Sequence, residues 1–135
     1  MQPSKNLLVD LFEKIKEKKI IEKELVQELL EEMYPGKSPM IFEVIERGIV
    51  KNIYKPSNRV IWTVIGKKKK TEYVIYPKLF CSCYNFYNNV VRKRKRNFCK
   101  HLLAQLICEA QNNYKTVELE DNEFFNRIND LSLEF

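Results

Sequence analysis

Two pairs of metal-binding residue types constrain this chain most: Cys81-Ser82-Cys83, an interval of fifteen residues, and then Cys99-Lys100-His101. Together they use three of the four cysteines and the only histidine. Three sulfurs and one imidazole nitrogen complete the tetrahedral shell that a structural Zn²⁺ prefers. In an extended segment, side chains at i and i+2 lie on one face, so Cys81 and Cys83 reach one ion if they leave a strand together. On a helix the same offset diverges by about 200°. The residues after Cys99 read as a helix, which places Cys99 just before or at the first turn and His101 inside it. There the partly positive helix end favours thiolate over thiol. The bland alternative, four unrelated buried residues, does not account for the paired spacing.

Around these pairs the hydrophobic period changes twice. Residues 5–33 carry apolar side chains at helical spacing, first Leu7, Leu8, Leu11, Phe12 and Ile15, then Ile21, Leu25, Leu29 and Met33. A charged stretch at 18–23 leaves open whether this is one helix or two. Pro35-Gly36 ends it, Ser38 and Pro39 offer a hydroxyl cap and a first-turn proline, and Gly48 stops a helix carrying Met40, Ile41, Val44 and Ile45. From residue 49 the period is two. Residues 49–54, 60–65 and 71–76 read as a three-stranded antiparallel meander that delivers the chain to the first cysteine pair. Between the ligand pairs, helix and loop both remain open. Leu102, Leu103, Leu106, Ile107 and Ala110 then give the metal helix a wide apolar arc, so it is expected to be buried on more than one side. Cys108 reads as a core thiol outside the ligand set. Asp121 is the expected cap of a last helix carrying Phe124, Phe125, Ile128 and Leu131. The fold class is therefore α+β: a helical region at 1–48, a zinc module at 49–113 and a helical tail at 114–135, expected to form one compact domain.

Charge is unevenly placed. Residues 1–50 hold 8 Lys/Arg against 10 Asp/Glu, residues 51–101 hold 14 against 1, and residues 102–135 hold 2 against 7. The zinc module alone is suited to a polyanion. Two basic clusters stand out: Lys67, Lys68, Lys69 and Lys70 in a strand connection, and Arg92, Lys93, Arg94, Lys95 and Arg96 between the ligand pairs, with Lys100 beside the metal. Folding around the ion is expected to bring both near one end of the module, where several phosphate contacts form together. Tyr84, Tyr87, Tyr73 and Trp62 are candidates for stacking on unpaired bases, with core packing the competing role.

Catalytic readings find little support. A catalytic zinc keeps one position open for water, whereas this motif fills all four. The run Gly66-Lys67-Lys68-Lys69-Lys70-Thr71 lacks the glycine before the Lys-Thr pair that a phosphate loop requires. Triad chemistry would need the single imidazole twice. No apolar run reaches the ~18 residues of a membrane helix and the start lacks a signal peptide's hydrophobic block, so an intracellular protein is expected, with its cysteines on metal rather than in disulfides.

Cys81-Ser82-Cys83 and Cys99-Lys100-His101-Leu102-Leu103-Ala104 match the C-x-C…C-x-H-x-x-A signature, and on these residues the chain resembles SWIM zinc-finger domains. Residues 56–108 look like the small SWIM subunit of Shu-type recombination complexes, through the Ser57-Asn58-Arg59 turn, the strand at 60–66, Phe86 and the Val91-Arg92-Lys93 step. One departure is Tyr84, where many such proteins carry proline directly after the C-x-C. The resemblance implies one structural Zn²⁺ on Cys81, Cys83, Cys99 and His101. It also implies a non-catalytic accessory role in homologous recombination beside a RecA/RadA-type ATPase paralogue, on single-stranded or branched DNA, in the cytoplasm of a prokaryote or the nucleus of a eukaryote. Two rivals are a stand-alone DNA-binding regulator or transposase-associated zinc module, and a protein-interaction adaptor.

Overall fold

The computed structural model describes residues 5–18, 22–66, 71–94 and 98–124. The helical pattern resolves into two helices, α1 (Lys5–Glu17) and α2 (Lys23–Met33). Leu8, Leu11 and Ile15 form the buried stripe of α1 at one-face spacing. On α2 the buried pair is Val26 and Leu30, Leu29 borders the core, and Leu25 is exposed. The expected stripe through Leu25 and Leu29 is thus rotated by one position, because the i, i+4 pair Val26 and Leu30 faces the core instead. Ile21 lies outside the described residues.

A third helix, α3 (Ser38–Arg47), follows the Pro35-Gly36 turn. Pro39 stands in its first turn as expected, but the Ser38 hydroxyl is no cap. It is buried inside the helix and donates to Glu31 Oε1 at 3.0 Å, while Glu31 Oε2 accepts the Gly36 N–H at 3.0 Å. One carboxylate of α2 therefore clasps the whole α2–α3 connection. Ile41 and Val44 face inward, whereas Met40 is exposed. Gly48 ends the helix at φ 111°, a conformation glycine adopts without steric cost.

The meander is present as β1 (Ile49–Lys55), β2 (Arg59–Ile65) and β3 (Glu72–Tyr76), and the sheet extends beyond it on both sides. A two-residue strand, β4 (Phe80–Cys81), adds to β3 with Ile75 opposite Cys81. The chain then forms one helical turn, α4 (Tyr84–Phe86), which continues into a π-helical segment (Tyr87–Arg92), and later the long helix α5 (Lys100–Gln111). The interval between the ligand pairs is thus largely helical. After α5 comes β5 (Lys115–Glu120), which lies parallel to β1 with Val50 opposite Lys115. The sheet order is β4-β3-β2-β1-β5. A strand at 115–120 was not expected from the sequence, and it occupies part of the stretch read as a helical tail.

α5 packs against α1, α3 and strands β1 to β4, and every side chain from His101 through Cys108 is buried. The wide apolar arc is real, and it makes α5 the axis of the core. The opposite sheet face holds a smaller cluster of Tyr54, Ile61 and Val74, bordered by Leu119 and Phe124. Buried Asn52 belongs there too, donating to Ile61 O at 3.0 Å and Thr63 Oγ1 at 3.1 Å. Asp121 does not cap a helix. It accepts the Ser57 N–H at 3.0 Å and the Ser57 hydroxyl at 2.7 Å, pinning the β1–β2 turn, while Glu120 and Glu123 form the capping box of the short 3-10 turn at Asp121–Glu123. Phe125, Ile128 and Leu131 lie outside the described residues.

Because Leu103 is fully buried at the centre of this axis, Leu103→Ala is expected to cost about 2–5 kcal/mol in urea denaturation. Val91→Ala, at an exposed position, should stay within about 0.5 kcal/mol of the unaltered protein.

Candidate metal centre

Ser82, the residue between the first two cysteines, sets their direction. Its N–H donates to Val74 O at 3.0 Å, and its hydroxyl accepts the Val74 N–H at 2.9 Å. Both hydrogen bonds extend the β3–β4 pairing past the end of β4, so an i, i+2 pair in extended chain points to one side as the spacing requires. Cys83 then becomes the N-cap of α4, its sulfur accepting the Phe86 N–H at 3.3 Å. On the other element, Cys99 is the extended N-cap residue of α5 and His101 sits in its first turn, as expected.

The ligand atoms of Cys81, Cys83, Cys99 and His101 all lie within 4.8 Å of one another, and all four residues are buried. That is the scale one ion spans with bonds of about 2.0–2.3 Å. Burial pushes the Cys81 and Cys99 thiols well above the ordinary range, and hydrogen bonds from Cys81 and Cys99 hold the Cys83 thiol well below it. Three sulfurs this close and this dry cannot all carry negative charge unless a cation sits among them. His101 Nδ1 is buried without a hydrogen-bond partner, as a nitrogen reserved for a metal would be. The donor set therefore fits one structural Zn²⁺, which supplies the positive charge that these sulfurs need.

Cys108 is buried as well, but it stands outside this group, and burial alone pushes its thiol up to about 12. It is the core thiol expected. Tyr73 and Trp62 are core residues rather than stacking surfaces: the Tyr73 ring packs 4.8 Å from the His101 ring, and Trp62 packs edge-on against Tyr114 at 4.9 Å. Ser82 is the supporting residue that the sequence did not single out, and Tyr73 takes the core role that competed with stacking. The only signal for Ser82 was a small hydroxyl residue inside the C-x-C.

Of the basic positions, Arg92, Lys93 and Arg94 are exposed where the π-helical segment ends, and Lys100 is half-buried at the start of α5. Lys67, Lys68, Lys69, Lys70, Lys95 and Arg96 lie outside the described residues. The anchor points of the lysine connection are nonetheless fixed. Gly66 N–H donates to Thr71 O at 2.8 Å, and a Cβ on Gly66 would run into the Thr71 side chain and the Tyr73 ring. Gly66 and Thr71, which flank that connection, thus lie against Tyr73, whose ring neighbours that of His101.

The fold and this four-ligand centre define a small α+β zinc-binding domain protein. Comparison with known proteins bears out the resemblance to SWIM zinc-finger proteins. The chain is 31% identical, over 93 residues, to the zinc finger SWIM domain-containing protein 7 homolog of Dictyostelium discoideum, a match covering 68% of this chain and 58% of that protein. It is 29% identical to the mouse and 25% identical to the human zinc finger SWIM domain-containing protein 7, over 70% and 67% of this chain and 62% and 65% of theirs. The chain spans less than two thirds of the length of these relatives. No family model and no solved structure matches it.

Cys83→Ser and His101→Ala are each expected to lose zinc and much of the helical signal, because metal binding and folding are coupled in such sites. Elemental analysis and circular dichroism check this. Cys108→Ala should retain one zinc per chain, and a zinc content below one would place that thiol in the coordination shell.

Proposed function

We propose that this protein is a non-catalytic zinc-binding accessory factor in homologous recombination and DNA repair. It acts beside a RecA/RadA-type recombinase paralogue that carries the ATPase, and it meets DNA through the basic surface of the zinc module. The observation that carries the reading is the segregation of charge around a closed metal centre: 14 basic residues against a single acid at 51–101, with acidic segments on both sides. Such a surface attracts phosphates through counterion release, whereas the flanks would repel them.

The rest of the molecule supports a division of labour. A shell filled by four protein ligands offers no position for metal-bound water, which favours a structural metal. Arg92, Lys93 and Arg94 leave the segment that joins the two ligand pairs, and Lys100 adjoins two ligands, so the cations are tethered to the metal centre. The outer side of α2 carries Glu24, Glu28, Glu31 and Glu32, and the same helix exposes Leu25, which suits a protein partner better than a nucleic acid. The recombination pathway and the paralogue come from the resemblance to the Shu-type SWIM subunit.

Neutralising Arg92, Lys93, Arg94, Lys95 and Arg96 together is expected to leave zinc content unchanged while weakening DNA binding. It should flatten the slope of log affinity against log salt by about 0.7 for every phosphate of a single strand that is no longer neutralised. Titrations at two salt concentrations measure this, and unchanged binding would move the DNA surface elsewhere. Affinity purification from the native host should bring down a RecA/RadA-like ATPase in stoichiometric amount. A monomer with sequence-selective duplex binding would instead identify a stand-alone regulator.

A further inference from the structure

We infer that the outer edge of β5 is a docking strip for a second protein, which adds an extended segment to the sheet there and carries Lys or Arg at alternate positions along that segment. The strip lies outside the basic stretch 51–101, and its use requires no nucleic acid.

The two edges of the sheet are built differently. At one end β4 contains only two residues, the second of them the metal ligand Cys81, so little backbone is left to pair. At the other end β5 runs for six residues in unbroken one-to-one register with β1, from Val50 opposite Lys115 to Lys55 opposite Glu120. It has neither proline nor bulge, and among the described residues no strand lies on its outer side. In a parallel pair alternate residues turn both backbone groups toward the neighbour, and the others turn theirs away. The backbone of Glu120 closes the capping box of the following 3-10 turn; for 115–119 no hydrogen bond beyond the β1 pairing engages the backbone among the described residues. A straight edge of this length, without the shortening seen at β4, is a template for a further strand.

Side chains select the occupant. Thr116, Glu118 and Glu120 share one face of the strand and are exposed, while Lys115, Val117 and Leu119 share the other, where Leu119 borders the Tyr54, Ile61 and Val74 cluster. The cations of β1 on the glutamate face are engaged elsewhere. Lys51 Nζ lies over the Trp62 and Tyr114 rings at 5.7 and 5.9 Å, and Lys55 Nζ donates to Asn58 Oδ1 at 2.6 Å. Glu118, opposite Ile53, makes no ion pair among the described residues. A strand bringing Lys or Arg to this face would set cations opposite carboxylates, a favourable cross-strand pairing. A second copy of this chain does not fit. In a two-fold antiparallel pairing of β5 with itself, even-numbered residues oppose even-numbered ones, so the two glutamates of each copy crowd one face; an in-register parallel pairing sets each glutamate beside its own copy. The matching partner alternates a cation with an apolar or β-branched residue, the latter continuing the face of Val117 and Leu119.

The test uses the zinc-loaded full chain and a short, labelled, end-capped peptide that alternates lysine with threonine and valine. Counterpart peptides carry glutamate in place of lysine, or N-methyl groups on one or the other alternate set of amides. The lysine peptide is expected to bind at low salt and to protect from hydrogen exchange those alternate amides of 115–119 that are not bonded to β1. Glu118→Lys should weaken it about 5- to 10-fold with zinc content unchanged. One N-methylated set should lose binding and the other keep it within about twofold, because only one edge of an added strand bonds to β5. Should Glu118→Lys lose zinc, the two methylated peptides decide on the unaltered protein. Failure of the lysine peptide to bind, equal binding by the glutamate peptide, or equal binding by both methylated sets would each overturn the docking strip. Exchange protection confined to α2 would overturn it as well, placing the cationic partner on the glutamates of that helix.

Discussion

A single ion held by Cys81, Cys83, Cys99 and His101 is the constraint on which the module depends. The two ends it joins have few local restraints of their own. β4 contains only two residues, and α5 begins with neither a capping side-chain hydrogen bond nor an acidic residue in its first turn. Orphan amide groups at such a helix start are ordinarily satisfied by a cap. Here the first turn is fixed by two metal ligands instead, and the edge of the sheet by the other two. The same ion resolves the electrostatic conflict of three buried sulfurs, so its binding energy is at once folding energy and compensation for desolvation.

From that clamp the core follows. With its N-terminus fixed to the sheet edge, α5 lies against β1 to β4 and is covered on its other sides by α1 and α3, which explains why eight consecutive residues on it are buried. Its arc was legible because Leu102, Leu103, Leu106, Ile107 and Ala110 share one broad side of the helix, whereas the burial of Gln105, which donates to Glu109 at 2.8 Å, was not. The four ligands were legible because their spacing matches both the strand exit and the helix entry. The starts of α3 and the last 3-10 turn were read less well. Ser38 and Asp121 are good capping residues locally, but Glu31 and Ser57 compete for them across the fold, and a tertiary hydrogen bond cannot be seen in local sequence.

The outer strands of the sheet were hidden for different reasons. β4 is too short to show any period. β5 does alternate, with Val117 and Leu119 half-buried between exposed Thr116, Glu118 and Glu120, yet two apolar residues are a weak signal. Its partner β1 lies far upstream, and parallel pairing needs the long crossover that ends in α5. On α2, Leu25 and Val26 are equally apolar in sequence. Only the direction in which the helix meets the core decides that Val26 turns inward and Leu25 outward.

The metal and the basic surface are more than neighbours. Fifteen residues between Cys83 and Cys99 carry Tyr84, the π-helical segment and the arginine-rich tract, and both ends of that interval are fixed to one ion. Closing a loop at both ends removes much of the conformational freedom that a polyanion would otherwise have to remove on binding. Under the proposed function, zinc and nucleic acid are therefore linked: the ion raises affinity for the strand by ordering its receptor in advance, and by reciprocity the strand raises affinity for the ion. This linkage requires no direct bond between the metal and the nucleic acid. It follows from placing the cations inside the segment that the ligands enclose, an arrangement that also explains how a site with no open coordination position can govern binding at a surface it never touches.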